Sequence, residues 1–251
     1  MASQSWWHFV RETLWTRKIL LLYETKNYYS NGTLPKISKA YFYSEFTEGL
    51  VEKENTLKHI DLKHELKQLI KRKGIVILES EITLSSGEKT NYYYDIKKVS
   101  ADPKGANLLG DLLVKEVEKY HAKSVGGLES GAIQISSSVV YKSSGKKRNG
   151  IYGFFVRKQA KTHGLQKRIE GYLIKPVVVV EDVMTKGKSV MQAIEAIREE
   201  RVNIAGVVCV VDREDTENLL KENNIKYSSL FKHSEFKSFI ETEIKKKKTK
   251  N

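Results

Sequence analysis

Residues 177–189, Val-Val-Val-Val-Glu-Asp-Val-Met-Thr-Lys-Gly-Lys-Ser, concentrate the chemistry of this chain. A run of valines reads as a strand buried on both faces, as in a parallel sheet. It leads straight into the carboxylates of Glu181 and Asp182, and the turn Thr185-Lys186-Gly187-Lys188-Ser189 then opens a helix with Val190, Ile194 and Ile197 on its apolar face. Small residues in such a turn let backbone N–H groups approach an anion, and the helix N-terminus adds positive potential, so the segment is a phosphate cradle. The adjoining carboxylates accept hydrogen bonds, for which neighbouring ribose hydroxyls are natural donors. A Walker A loop is excluded, because Asp182 occupies the position five before Gly187 where that motif requires glycine. An ordinary acidic strand end followed by a helix cap is the competing reading.

Two further groups of residues suit anionic ligands. Arg157, Lys158, Lys161 and His163 lie within seven residues and outside any helical pattern. That density suits a lid closing over a diphosphate, with a solvated charged loop as the bland alternative. Asp212-Arg213 ends a second hydrophobic strand, where an arginine serves equally well as an anion contact or a surface ion pair.

The elements that must position these groups are legible from Leu57 onward. Leu62, Leu66, Leu69 and Ile70 mark one helical face, and Lys71-Arg72-Lys73-Gly74 supplies a basic last turn and a glycine stop. A short strand around Ile82-Thr83-Leu84, a Ser85-Ser86-Gly87 turn and a strand through Tyr92-Tyr93-Tyr94 follow. Asp102-Pro103 reads as an N-cap with proline at the first helical position. Next come strand Ser124 to Leu128, a helix from Ala132, strands Ile151 to Val156 and Val177 to Val180, helix Lys188 to Glu200 and strand Ile204 to Val211. Alternation of this kind predicts an α/β fold with a mostly parallel sheet flanked by helices, its ligands at the carboxyl ends of the strands. Ser143 to Gly150 reads as a surface loop.

Composition bounds the remaining possibilities. The 251 residues are 40% hydrophobic and 30% charged, which excludes global disorder, collagen and a disulfide scaffold. One cysteine, Cys209, cannot form an internal bridge and fits a reducing cytoplasm. No apolar stretch approaches the length of a membrane span. The net charge of +13 is mostly scattered lysine and suits a small polyanionic substrate through field focusing; nucleic acid is not an expected partner. Three parts are expected: an extension of unknown role over residues 1–56, poorly ordered or a small accessory module, a catalytic domain over 57–240, and a frayed basic tail over 241–251. The histidines show no ligand spacing, so no protein-only metal site is expected.

Together the segment 177–189, the spacing Arg157-Lys158-x-x-Lys161-x-His163, the strand end Val210-Val211-Asp212-Arg213-Glu214 and the stretch Leu84 to Asp95 resemble orotate phosphoribosyltransferases, of the type I phosphoribosyltransferase fold. Gly126-Gly127-Leu128-Glu129-Ser130-Gly131 resembles that family's pyrophosphate loop. The resemblance implies a small N-terminal hood, a mobile lid and transfer of ribose 5-phosphate from 5-phosphoribosyl-1-diphosphate (PRPP) to orotate. It implies that Glu181 and Asp182 hold the ribose hydroxyls, that Val183, Met184, Thr185, Lys186, Gly187, Lys188 and Ser189 form the 5′-phosphate loop, and that Arg157, Lys158, Lys161 and His163 neutralise the departing diphosphate. Thr185 and Arg213, with Tyr93 and Tyr94 nearby, would bind orotate. Mg²⁺ would arrive mainly on the diphosphate, and a homodimer with shared active sites is implied. Met184, Lys186 and Ser85 depart from common family residues. Two alternatives share the PRPP cradle: a phosphoribosyltransferase for another base, and a PRPP-sensing transcriptional regulator with residues 1–56 as its DNA-binding part.

Overall fold

A computed structural model describes residues 56, 59–83, 89–144, 150–159, 167–213 and 217–249. The chain divides between Leu57 and Lys58; the expectations for the N-terminal extension and for the Ser85-Ser86-Gly87 turn lie outside the described residues. Helix α1 (residues 59–69) buries Leu66 and Leu69 on the expected face. Instead of stopping at a glycine cap it widens into a π turn, Ile70–Gly74, and strand β1 (Ile75–Thr83) starts at the next residue. The strand expected near Ile82 is therefore longer and begins earlier. Gly74 allows this abrupt change, because a Cβ there would lie 2.9 Å from Val99.

Strand β2 (Lys89–Tyr94) pairs antiparallel with β1 in a separate two-stranded ribbon. The short α2 (Ile96–Ser100) precedes α3 (Pro103–Glu118), where the carboxylate of Asp102 accepts from the backbone N–H of Gly105 at 3.0 Å, the cap expected from the Asp-Pro pair. There follow β3 (Ser124–Gly126), α4 (Gly131–Ser144), β4 (Tyr152–Val156), β5 (Ile169–Gly171), β6 (Val177–Met184), α5 (Lys188–Glu199), β7 (Ile204–Asp212), α6 (Glu217–Glu222), β8 (Tyr227–Lys232) and α7 (Lys237–Lys248). The main sheet has six strands in the order β5-β4-β3-β6-β7-β8; every pair is parallel except β4–β5. The anticipated α/β architecture is thus the observed one.

The alternation of a strand sorts the core into two layers. Val178, Val180, Val208 and Val210 pack with Leu109, Leu112 and Leu113 of α3 and Ile135 and Val139 of α4. Val177, Val179, Val207 and Cys209 pack with Val190, Ala193, Ile194 and Ile197 of α5. All these valines are at most 1% exposed, each contributing roughly 1.5–3 kcal/mol by burial. This two-sided burial holds β6 rigid up to its carboxyl end.

Two expectations are corrected. The expected tail is helical over its described part: α7 crosses the expected boundary at residue 240 and runs to Lys248, while residues 250–251 lie outside the described residues. Phe236 and Ile240 are buried and Ile244 partly so, a stripe at four-residue spacing, and Lys247 Nζ donates to the backbone carbonyl of Ile77 at 3.0 Å. The expected loop at Ser143 starts later, because Ser143 completes a turn of α4 and its buried hydroxyl accepts from the N–H of Ile151 at 2.9 Å. Among the described residues no helix is long and apolar enough to cross a membrane.

Candidate active site

Strand β6 does not stop at its valines. Pairing with β7 continues through Glu181 opposite Cys209, Val183 opposite Val211 and Met184 opposite Asp212, so both carboxylates belong to the strand itself. The turn Thr185–Gly187 then reverses the chain into α5. Gly187 has φ of 67°, the left-handed region that glycine occupies without strain, and its carbonyl accepts the first helical bond from Met191 at 2.9 Å. Lys186, Lys188 and Ser189 are exposed and Thr185 half-buried. The first N–H groups of a twelve-residue helix thus converge on a turn with two exposed ammonium side chains, an anion-favouring end. The side chain of Met184 is buried in the α5 layer and that of Val183 packs against the opposite layer. These two positions therefore face the turn through backbone alone.

The acidic neighbours occupy unlike environments. Asp182 Oδ1 accepts from the N–H of Val183 at 2.8 Å, and Oδ2 pairs with Lys97 Nζ of α2 at 3.0 Å. Burial opposes the charge on Lys97, but the Asp182 carboxylate outweighs it and holds the ammonium above its ordinary value. Glu181 has no such partner. Its Oε1 accepts from the N–H of Asp182 at 3.3 Å, and its buried Oε2 has no hydrogen-bond partner among the described residues. Burial, then the charge of Asp182, pushes its carboxyl well above the usual range. One member of the pair is thus ion-paired and the other favours its neutral form, a buried orphan oxygen awaiting a partner. The first residue of α4 walls this pocket: a Cβ on Gly131 would fall 2.6 Å from the Asp182 carboxylate carbon.

Arg157, Lys158 and Gln159 leave the end of β4, and residues 167–168 lead into β5, which pairs antiparallel with β4. Lys161 and His163 lie outside the described residues. Arg157 is engaged at the stem, with Nε donating to Glu170 at 3.2 Å and its guanidinium 5.6 Å from the Phe155 ring centre. The backbone N–H of Lys158 donates to Glu129 Oε1 at 2.9 Å, and the Glu129 N–H donates to the carbonyl of Val156 at 2.8 Å. Glu129 therefore fastens the Gly126–Gly131 loop to the root of the hairpin. That loop cannot carry side chains at its glycines, since a Cβ on Gly127 would lie 2.3 Å from the Val180 carbonyl.

At the other end, the Arg213 N–H donates to the Met184 carbonyl at 2.8 Å, which sets Arg213 at the lip of the turn. Asp212 is fully buried and paired with Lys232 at 2.8 Å. The tyrosines alternate along β2. Tyr92, not Tyr93, packs on Arg213, with the guanidinium carbon 4.7 Å from its ring centre. Tyr93 points away and is 38% exposed, while Tyr94 is buried with its hydroxyl 2.9 Å from His233 Nδ1. The aromatic pair expected beside Arg213 is thus displaced by one residue, because residues i and i+2 share a strand face. Sequence reasoning also missed Lys97, Glu129 and His233. Lys97 and His233 carry no local pattern, and only the loop containing Glu129 pointed to it. Among the described residues no group of three or more His, Cys, Asp or Glu side chains could hold a metal ion.

Residues 96–243 match the family model for the phosphoribosyl transferase domain. The orotate phosphoribosyltransferase of Aquifex aeolicus is 38% identical over 179 residues, 69% of this chain and 96% of that protein. That of Streptomyces coelicolor is 40% identical over 155 residues, 61% of this chain and 84% of the relative. Among solved structures, a phosphoribosyltransferase from Corynebacterium diphtheriae superposes with a TM-score of 0.60 at 29% identity, covering 69% of this chain and 97% of the other. The Mycobacterium tuberculosis orotate phosphoribosyltransferase, solved in complex with PRPP, gives a TM-score of 0.54 at 27% identity, with 68% and 96% covered. With an acidic strand end, a left-handed glycine turn and these relatives over nearly their whole length, the chain belongs to the orotate phosphoribosyltransferase family.

Proposed function

We propose that this chain transfers ribose 5-phosphate from PRPP to N1 of orotate, giving orotidine 5′-monophosphate and pyrophosphate in pyrimidine biosynthesis. The observation that carries this reading is the unlike carboxyl pair at the end of β6, set between the phosphate turn and Arg213. In it the turn Thr185–Ser189 takes the 5′-phosphate. Asp182 accepts from a ribose hydroxyl, and the orphan oxygen of Glu181 takes the adjacent one. As the bond from C1′ to the diphosphate oxygen breaks, N1 of orotate forms the new bond to C1′ and its proton is released. Positioning and charge stabilisation do the work, with no covalent enzyme intermediate. Arg157, Lys158, Lys161 and His163 neutralise the leaving diphosphate, while Thr185 and Arg213 orient the base.

Magnesium, carried on the substrate diphosphate, would supply charge neutralisation there. The donors here suit that arrangement: Asp182 is already ion-paired and Glu181 favours its neutral form, and Mg²⁺ readily keeps phosphate oxygens and water as ligands. The reading includes a cytoplasmic homodimer. The groove lined by Ile133, Val140, Tyr141, Phe155 and Tyr172, with Tyr141 and Tyr172 largely exposed beside the hairpin root, is what supports a two-fold contact there. The transcriptional regulator is disfavoured because it has no use for the cationic spacing Arg157-Lys158-x-x-Lys161-x-His163.

Orotate consumption followed by absorbance, with PRPP and Mg²⁺, tests the proposal. Turnover is expected to require both, and Lys161→Ala is expected to lower kcat by roughly 10²-fold or more, within the range for removing a charge stabiliser. PRPP binding without orotate turnover in the wild type would refute the choice of base.

A further inference from the structure

The base end of the site contains a stack that no chemical step uses. The guanidinium of Arg213 lies 4.7 Å from the Tyr92 ring centre. The imidazole of His233 also stacks with Tyr92, at 5.6 Å between ring centres and 9° from coplanar. Tyr94 stands edge-on to both rings, at 5.8 and 6.1 Å, and edge-on to Phe236 at 5.9 Å. These groups come from the end of β7, from β2 and from the turn after β8, three segments far apart in the chain.

The Tyr94–His233 bond fixes the imidazole. Tyr94 is 3% exposed, and burial, reinforced by Tyr92, pushes its phenol far up. The hydroxyl lies 2.9 Å from His233 Nδ1 and holds the ring in place. The oriented imidazole stacks with Tyr92, and the Arg213 guanidinium lies over the Tyr92 ring. The main chain of Arg213 is held separately by the Met184 carbonyl. A guanidinium held at both its backbone and its face loses less freedom when it meets a carboxylate than one on a mobile stem.

We infer that Tyr92, backed by His233, is a positioning residue that sets Arg213 for the carboxylate of the base and so contributes to selection of orotate. This rests on the proposed role of Arg213 and extends it to residues that touch no substrate themselves. Tyr92→Phe keeps the ring face, whereas Tyr92→Leu keeps apolar bulk and removes it.

Steady-state kinetics with each substrate varied in turn is the test. Tyr92→Leu is expected to raise the KM for orotate about tenfold, in line with loss of a partly desolvated cation–π contact, with kcat and the KM for PRPP within about twofold of wild type. Tyr92→Phe is expected to bring the orotate KM back toward the wild-type value. His233→Ala, which loosens Tyr92, should raise the orotate KM in the same direction by a smaller factor, and it carries the test should Tyr92→Leu fail to fold. An unchanged orotate KM in folded Tyr92→Leu and His233→Ala overturns the inference. So does an equal rise in both KM values, which would mark a purely structural role. Absence of orotate turnover in the wild type would instead refute the function itself, before any variant is compared.

Discussion

Replacing Gly131 with alanine should damage PRPP use far more than it damages the fold. The new Cβ would sit 2.6 Å from Cγ and Oδ2 of Asp182, about 0.8 Å inside the 3.4 Å at which ordinary contact begins. Asp182 cannot yield cheaply. Its Oδ1 is held by the Val183 N–H at 2.8 Å, its Oδ2 by Lys97 at 3.0 Å, and its side chain is only 11% exposed. Relief therefore requires either rotating the carboxylate off both partners or moving the start of α4 together with the Gly126–Gly131 loop. Overpacking of this kind costs about 1–3 kcal/mol, and each kcal/mol lowers Tm by roughly 2–4 °C in a chain of this size. Catalytic geometry is less forgiving: a displacement near 1 Å costs on the order of 10²-fold. The expected result is a Tm lowered by roughly 2–12 °C and a kcat/KM for PRPP lowered about 100-fold, from orotate absorbance at saturating orotate and from thermal unfolding of the same samples. Gly150→Ala is the control, since its Cβ would meet nothing closer than 3.6 Å. A folded Gly131→Ala with kcat/KM for PRPP within threefold of wild type would refute the claim that the position of Asp182 governs the reaction.

Other outcomes follow from the buried groups beneath the site. Burial raises the Glu181 carboxyl, so its contribution to stability is fullest below the unfolded carboxylate range near ~4.3 and is lost as pH rises toward its folded value. Glu181→Gln should therefore raise Tm at pH 7–8, with the gain shrinking toward pH 4, while activity falls; a lower Tm at pH 8 than wild type would contradict this. Cys209 is fully buried, and burial, then the charges of Glu181 and Asp212, pushes its thiol well up. A thiol-reactive chromophore should label the native protein far more slowly than the unfolded chain, and prompt stoichiometric labelling of native protein would reject that environment.

How much of this was legible in the sequence depends on how far apart the interacting residues lie. Windows of a few residues carried the valine strand, the Asp102-Pro103 cap, the apolar faces of α1, α3 and α5, and the pairing of a glycine turn with a helix start. Each of these reflects local backbone preference or the periodicity of one element. The same windows misread α7: its lysines dominate the composition, although Phe236, Ile240 and Ile244 at four-residue spacing mark a docked face. They also placed the aromatic contact one residue late on β2, because the strand's phase against Arg213 is set by the way the ribbon meets the main sheet.

By itself the sequence determined the alternation of strands and helices that marks an α/β fold, the two-sided burial of β6 and the acidic strand end opening onto an anion-favouring turn. Only the tertiary structure decided that Lys97 pairs with Asp182 across 85 residues of chain and that Oε2 of Glu181 has no partner among the described residues. It alone decided that Tyr92 and His233 stand behind Arg213, and that Gly131 abuts a carboxylate. The physical reason is common to all three. Periodicity and propensity act within an element, whereas the charge state and direction of a side chain depend on which distant element the sheet order and register bring against it.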